Sequence, residues 1–222
     1  MNIFVINLHN RPERFFNTIK NLKKCNFSDY IIRKCGCTIN RAKIKSKKYI
    51  TKRAYNNILN LESKYLMPTW GAVACAISHY EIYEYIVKNK IQNAVIIEDN
   101  FEIDNLPKFK MFLDEGIDIL NLYSELNTLK LVFLNYNGKK IDNNSSSFFL
   151  NNYSEKYEVE SYKDILDYPF KGLQFYMINY QMACQLTSRL LPMSYQIDIE
   201  IGNVLKDIRY NCKVVWNNLS NI

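Results

Sequence analysis

The segment AVIIEDNFEID, residues 94–104, constrains the fold most, because its apolar run Ala94 to Ile97 stops abruptly at Glu98-Asp99-Asn100. A short apolar run bounded by polar residues reads as a strand. Acids at a strand's carboxyl end point towards a site: in open α/β sheets ligands gather at those ends, where loops aim side chains without disturbing the core.

The rest of the chain supplies the layers such a strand needs. Residues 2–8, NIFVINL, are apolar and are followed by Asn10, Pro12 and Glu13, the order of an N-cap, an early helical proline and a capping-box acid. A helix from about Arg11 to Lys24 places Phe15, Ile19 and Leu22 on one face, and DYIIRKC, 29–35, gives a second strand, so the chain opens β-α-β. A basic helical stretch between Arg41 and Met67 ends at Pro68-Thr69-Trp70-Gly71, where a new helix begins. That helix is apolar around much of its circumference, with Ala72, Ala76, Tyr80, Tyr83 and Val87 on one stripe and Cys75, His79, Ile82 and Ile86 on another, which predicts burial. IDILNLY (117–123) and KLVFL (130–134) read as further strands, and NYNGKKIDNNSSS as a loop. A strand near Leu173 to Ile178, a helix from Tyr180 to Leu190, a short helix after Asp198 and a strand CKVVW complete the pattern. With no internal repeat and no linker, the expectation is one α/β domain over residues 1–222.

Composition narrows the functional classes. The 222 residues are 48% hydrophobic and 23% charged with 17 Tyr and 12 Phe, which excludes a disordered chain. No run approaches the ~20 apolar residues of a spanning helix, and the opening lacks the layout of a signal peptide. The six cysteines form no C-x-x-C pair, which favours a reduced, cytoplasmic setting. Residues 1–53 carry 14 Lys and Arg against Glu13 and Asp29, a net of +12, whereas the remainder offsets this to the overall +7. Such asymmetry marks an anion-binding end or a solvated basic face. The run Lys43, Lys45, Lys47, Lys48, Lys52 and Arg53, interleaved with Tyr49 and Tyr55, also permits a nucleic-acid reading, but no nucleic-acid motif accompanies it.

Four segments in order carry a resemblance to a known family: VINLHNRPER (5–14), WGAVACAISHYEIYEYI (70–86), AVIIEDNFEID (94–104) and LQFYMINYQMACQLTSRLLPMSYQID (173–198). Together they resemble glycosyltransferase family 25, which includes lipooligosaccharide galactosyltransferases of lipopolysaccharide biosynthesis and collagen-modifying enzymes. The resemblance implies a GT-A-type nucleotide-diphospho-sugar transferase fold, a mixed central sheet flanked by helices. It also implies a UDP-hexose donor carrying galactose or glucose, a glycan or hydroxylated side-chain acceptor, and a divalent cation, Mn²⁺ or Mg²⁺.

The residues agree with that chemistry while leaving alternatives open. A departing diphosphate needs its growing charge neutralised by a metal ion or by fixed cations. Glu98, Asp99 and Asn100 offer oxygen ligands to a hard cation, or are solvated turn residues. Asn100 stands where the family carries an acid, and keeps a carbonyl oxygen without the charge. Arg11 and Arg14 either face the diphosphate or decorate a surface helix. The resemblance places Asn7 in a uridine-binding strand and gives Ser78 and His79 a site-lining role. His79 is otherwise a satisfied buried histidine, and its i+4 spacing from Cys75 is a weak metal signal without further ligands. Asp198 is the candidate base for the acceptor hydroxyl, with Glu200 close by, or else an N-cap. Three functions follow: an active hexosyltransferase in which Asp99 and Asp198 are catalytic, a weakened relative that still holds nucleotide sugar, and a basic nucleic-acid binder.

Overall fold

The computed structural model describes residues 1–27, 30–63, 66–101, 103, 105–124, 129–133, 173–208 and 212–216. Its strands β1 (Asn2–Asn7), β2 (Ile31–Cys35), β3 (Asn93–Glu98), β4 (Leu129–Phe133), β5 (Phe175–Asn179) and β6 (Cys212–Trp216) form one six-stranded sheet in the order β2-β1-β3-β5-β4-β6. Strand β1 runs parallel to both β2 and β3, whereas β5 is antiparallel to β3 and β4, so the sheet is mixed. The chain moves to one side of β1 for β2 and to the other for β3. This reversal opens a crevice at the carboxyl ends of these three strands, the usual ligand position in such sheets.

Helices cover both faces. Helices α2 (Ile39–Tyr49), α3 (Lys52–Asn60), α4 (Trp70–Lys88), α6 (Tyr180–Arg189) and α7 (Ile197–Asp207) contribute to one apolar cluster with Phe4, Ala94, Ile96, Tyr176 and Ile178. Helices α1 (Pro12–Lys24) and α5 (Leu106–Ser124) close the other face over Ile3, Val5, Val95, Ile97, Phe175 and Met177. Strand residues alternate between the two clusters because successive side chains leave opposite sides of the pleat. The central helix α4 is buried around most of its girth, from Val73 to Ile86, as its two apolar stripes require. Thr69 caps it by accepting a hydrogen bond from the Ala72 amide at 3.1 Å.

Two local expectations are corrected. IDILNLY, residues 117–123, is not a strand but the last turns of α5. Phe109, Leu113 and Leu120 recur at helical spacing and are buried together, and this longer periodicity outweighs the short apolar run. At the start of α1 the capping residue is Arg11 rather than Asn10 and makes no side-chain cap; Pro12 opens the helix, and Glu13 sits too early for a capping box. The expected loop NYNGKKIDNNSSS lies outside the described residues. No helix among the described residues is long and apolar enough to cross a membrane.

Ile96, fully buried in β3 beneath α4, tests this packing. Ile96→Ala is expected to lower unfolding free energy by about 2–5 kcal/mol. Thr69→Ala removes one cap without opening a cavity and is expected to cost about 1 kcal/mol. Urea melts of the two variants check the ranking.

Candidate active site

Strands β1, β2 and β3 end around a cleft of about 480 Å³ lined by Ile6, Leu8, Arg11, Arg14, Gly36, Thr38, Cys75, His79, Glu98, Asp99 and Asn100, among others. The first turns of three helices reach its wall: Arg11 and Arg14 at α1, Ile39 and Asn40 at α2, and Gly71 at α4. Helix starts present unsatisfied N–H groups and a positive dipole end, so their convergence with two arginines makes this wall attractive to anions.

Asn7 holds the strand ends in place. It is 1% exposed, and its amide nitrogen donates to the Arg11 carbonyl at 2.8 Å and to Asp99 Oδ2 at 2.6 Å. Its oxygen accepts from Arg33 Nε at 3.0 Å and from Arg33 Nη2. Both amide protons are taken up inside the protein. Asn7 is not among the residues that line the cleft, although its neighbours Ile6 and Leu8 are; its side chain positions Asp99, Arg33 and the turn into α1. The Arg33 guanidinium lies 4.8 Å from the Phe15 ring centroid.

Glu98 and Asp99 both reach the cleft but take different partners. Glu98 follows Ala94 and Ile96 on the α4 face, and its Oε1 lies 3.0 Å from His79 Nε2 and accepts the Cys75 thiol at 3.4 Å. Asp99, one residue beyond the strand, donates its backbone N–H to the Ile6 carbonyl and directs its carboxylate to Asn7 and, at 3.9 Å, to Arg14 Nη1. Asn100 is exposed at the rim. The acidic turn thus enters one cleft while its first two members answer to opposite walls.

Beneath Glu98 runs a buried polar chain. His79 is fully buried, with Nδ1 2.8 Å from the Tyr176 hydroxyl, which lies 2.6 Å from the Tyr83 hydroxyl. Burial drives the Glu98 carboxyl upward, but the hydrogen bond and charge of His79, with the Cys75 thiol, outweigh it and hold Glu98 below its ordinary value. Burial, then the Glu98 charge and hydrogen bond, then the Asp198 charge push the Cys75 thiol well up. The Tyr176 hydroxyl is likewise raised, first by burial.

Ser78 lines the cleft but its hydroxyl donates to the Ala74 carbonyl at 2.7 Å and accepts the Cys37 amide at 2.8 Å, pinning the turn after β2 to α4. Gly36 in that turn has no room for a side chain without adjustment, since a Cβ would meet Leu8 Cδ2 at 3.2 Å. Asp198 is not an N-cap: Gln196 holds that position, and Asp198 lies in the first turn of α7, outside the cleft lining. Glu200 accepts the Ser194 and Tyr195 amides at 2.5 and 2.8 Å and so secures the turn before α7. Part of the basic run is answered by α4, with Arg41 and Lys45 each 2.7 Å from Glu81 and Lys48 3.5 Å from Glu84. Asn7 as a joint, Arg33 and the Tyr176–Tyr83 pair went unassigned in the sequence; polar groups within strands 2–7, 31–35 and 175–179 and in the apolar helix 70–88 were the available signal.

The mixed sheet flanked by helices, with a carboxylate-bearing cleft at its switch point, agrees with a nucleotide-diphospho-sugar transferase fold. Residues 1–202 match Glycosyltransferase family 25 (LPS biosynthesis protein), and the chain belongs to that family. No curated protein sequence matches the chain.

The Asn7 joint makes a distinct pH prediction. Asn7→Asp keeps size and the Arg33 contact but sets a carboxylate against Asp99, which lies 2.6 Å from the present amide. The variant is expected to lose about 1–3 kcal/mol at neutral pH. Like charges raise the pKa of one member of such a pair, so its penalty appears as pH rises and shrinks as pH falls. Urea midpoints of variant and wild type between neutral and mildly acid pH check the sign.

Proposed function

We propose that this glycosyltransferase moves galactose or glucose from a UDP-hexose donor to a hydroxyl of a glycan or a hydroxylated side chain. The observation that carries the reading is the meeting of Arg11, Arg14 and three helix starts with Glu98, Asp99 and Asn100 in one cleft. The cationic wall suits a diphosphate, and its fixed charges stabilise the leaving group as the glycosidic bond breaks.

The residues fit a hard divalent cation, Mn²⁺ or Mg²⁺, as a partial shell. Asp99 keeps Oδ1 free of the Asn7 bond, and Asn100 adds a neutral oxygen at the rim. Asp99 and Asn100 would hold the ion together with donor phosphates and water, with Glu98 contributing negative charge from the cleft floor. When bound, the ion neutralises diphosphate charge. Arg14 and Asn7 hold Asp99 in place before any ligand arrives. Asp198 lies outside the cleft lining but close enough for its charge to act on Cys75, and it remains the candidate base for the acceptor hydroxyl, with Glu200 taken up by the Ser194 and Tyr195 amides.

Asn100 also favours a second reading, a relative that binds nucleotide sugar without efficient transfer, because the acidic turn lacks its last charge. Transfer and hydrolysis assays with UDP-galactose and UDP-glucose plus Mn²⁺ separate the two. Asp99→Asn retains an acceptor for Asn7 and is expected to lower turnover about 100-fold or more with little change in Tm; full activity in the folded variant overturns the role. Asn100→Asp is expected to tighten Mn²⁺ binding by calorimetry and lower the Mn²⁺ needed for half-maximal activity. Activity present only in Asn100→Asp identifies the weakened relative.

A further inference from the structure

On the cleft floor, Cys75 and His79 have no part in the sugar-transfer reading, and Glu98 enters it only through its charge. Cys75 and His79 lie one helical turn apart on α4, and folding adds Glu98 from the end of β3. One ligand atom from each lies within 4.8 Å of the others. Two of the separations, 3.4 Å from Cys75 Sγ and 3.0 Å from His79 Nε2 to Glu98 Oε1, approach the edges of a tetrahedral zinc shell. Such edges are about 3.3–3.5 Å for zinc–ligand bonds of ~2.0–2.3 Å.

We propose that Cys75, His79 and Glu98 form a binding site for one Zn²⁺ ion, with the fourth position open to the cleft for water or an anionic oxygen. All three residues line that cleft, so the open position is reachable. Thiolate, imidazole and carboxylate select a borderline-soft ion, whereas Asp99 and Asn100 offer only hard oxygen donors. His79 binds through Nε2 once its proton resides on Nδ1, where the Tyr176 hydroxyl oxygen 2.8 Å away accepts it. This second partner fixes ring orientation, the usual support of a zinc-bound histidine. Cys75 binds as thiolate, its S–H bond breaking and the proton passing to solvent as the Zn–S bond forms. Neither oxidant nor reductant is involved, and the inference is independent of the sugar donor.

The test uses the full chain, reduced and stripped by a chelator, titrated with Co²⁺ as a spectroscopic probe and with Zn²⁺ against a chromophoric indicator. One equivalent of Co²⁺ is expected to give a thiolate-to-cobalt charge-transfer band and intense visible bands of a tetrahedral ion. Both are expected to vanish in Cys75→Ser, shown folded by circular dichroism, and to persist in Cys35→Ser, which alters an exposed thiol that is not one of the three ligands. Tyr176→Phe is expected to weaken Zn²⁺ binding about 10- to 100-fold. A weak octahedral spectrum in the wild type overturns the proposal whatever the variants do, and so does a charge-transfer band that survives Cys75→Ser. Unchanged Zn²⁺ affinity in Tyr176→Phe overturns the assigned Nδ1 partner.

Discussion

The strand ends at the cleft are tied to one another by the buried amide of Asn7. A single side chain ties β2 through Arg33, the turn into α1 through the Arg11 carbonyl, and the end of β3 through Asp99. Because both amide protons and the oxygen have partners, the three chain ends are held at fixed spacing without help from a ligand. Groups held in place in this way need no reorganisation when a ligand arrives.

The pleat of β3 sets the division of labour around that joint. Side chains alternate along the strand, so the acidic turn distributes its charge: Glu98 to the α4 wall with His79 and Cys75, Asp99 to the Asn7 and Arg14 wall. One wall is cationic and suits phosphate oxygens. The other is a buried polar chain reaching through Tyr176 to Tyr83. Placing the chain under α4 keeps each polar atom partnered in an otherwise apolar layer, which offsets the cost of burying it.

The basic first quarter takes a different meaning in three dimensions. Arg41, Lys45 and Lys48 turn to Glu81 and Glu84, so that the acids of α4 and the cations of α2 join two helices. Arg33 is drawn inward to Asn7 and Phe15. Arg11 and Arg14 alone among these named residues line the cleft. Net charge along a sequence therefore overstates the positive surface offered to a polyanion.

The sequence by itself determined the opening strand–helix–strand unit, the buried central helix, the acidic strand end and, through four ordered segments, membership of glycosyltransferase family 25. These were legible because hydrophobic period and turn chemistry are local properties. It misjudged residues 117–123, where a short apolar run fits helix and strand alike until Phe109 and Leu113 are seen packing with Leu120. It did not show Asn7 as a joint, because Arg33 and Asp99 lie far from it in the chain and carry no sequence signature; it left Asp198 a possible cap and Glu200 no settled role, because where α7 starts is decided by the turn before it. Tertiary structure alone decided that Asn7 joins Arg33 to Asp99, that Glu200 secures the turn before α7, and that Glu98 completes a triad with Cys75 and His79. The Asn7 and Glu98 contacts exist only when β1, β2, β3 and α4 are packed together, since Arg33, His79 and Asp99 reach them from 19 to 92 positions away, through the fold and not along the chain.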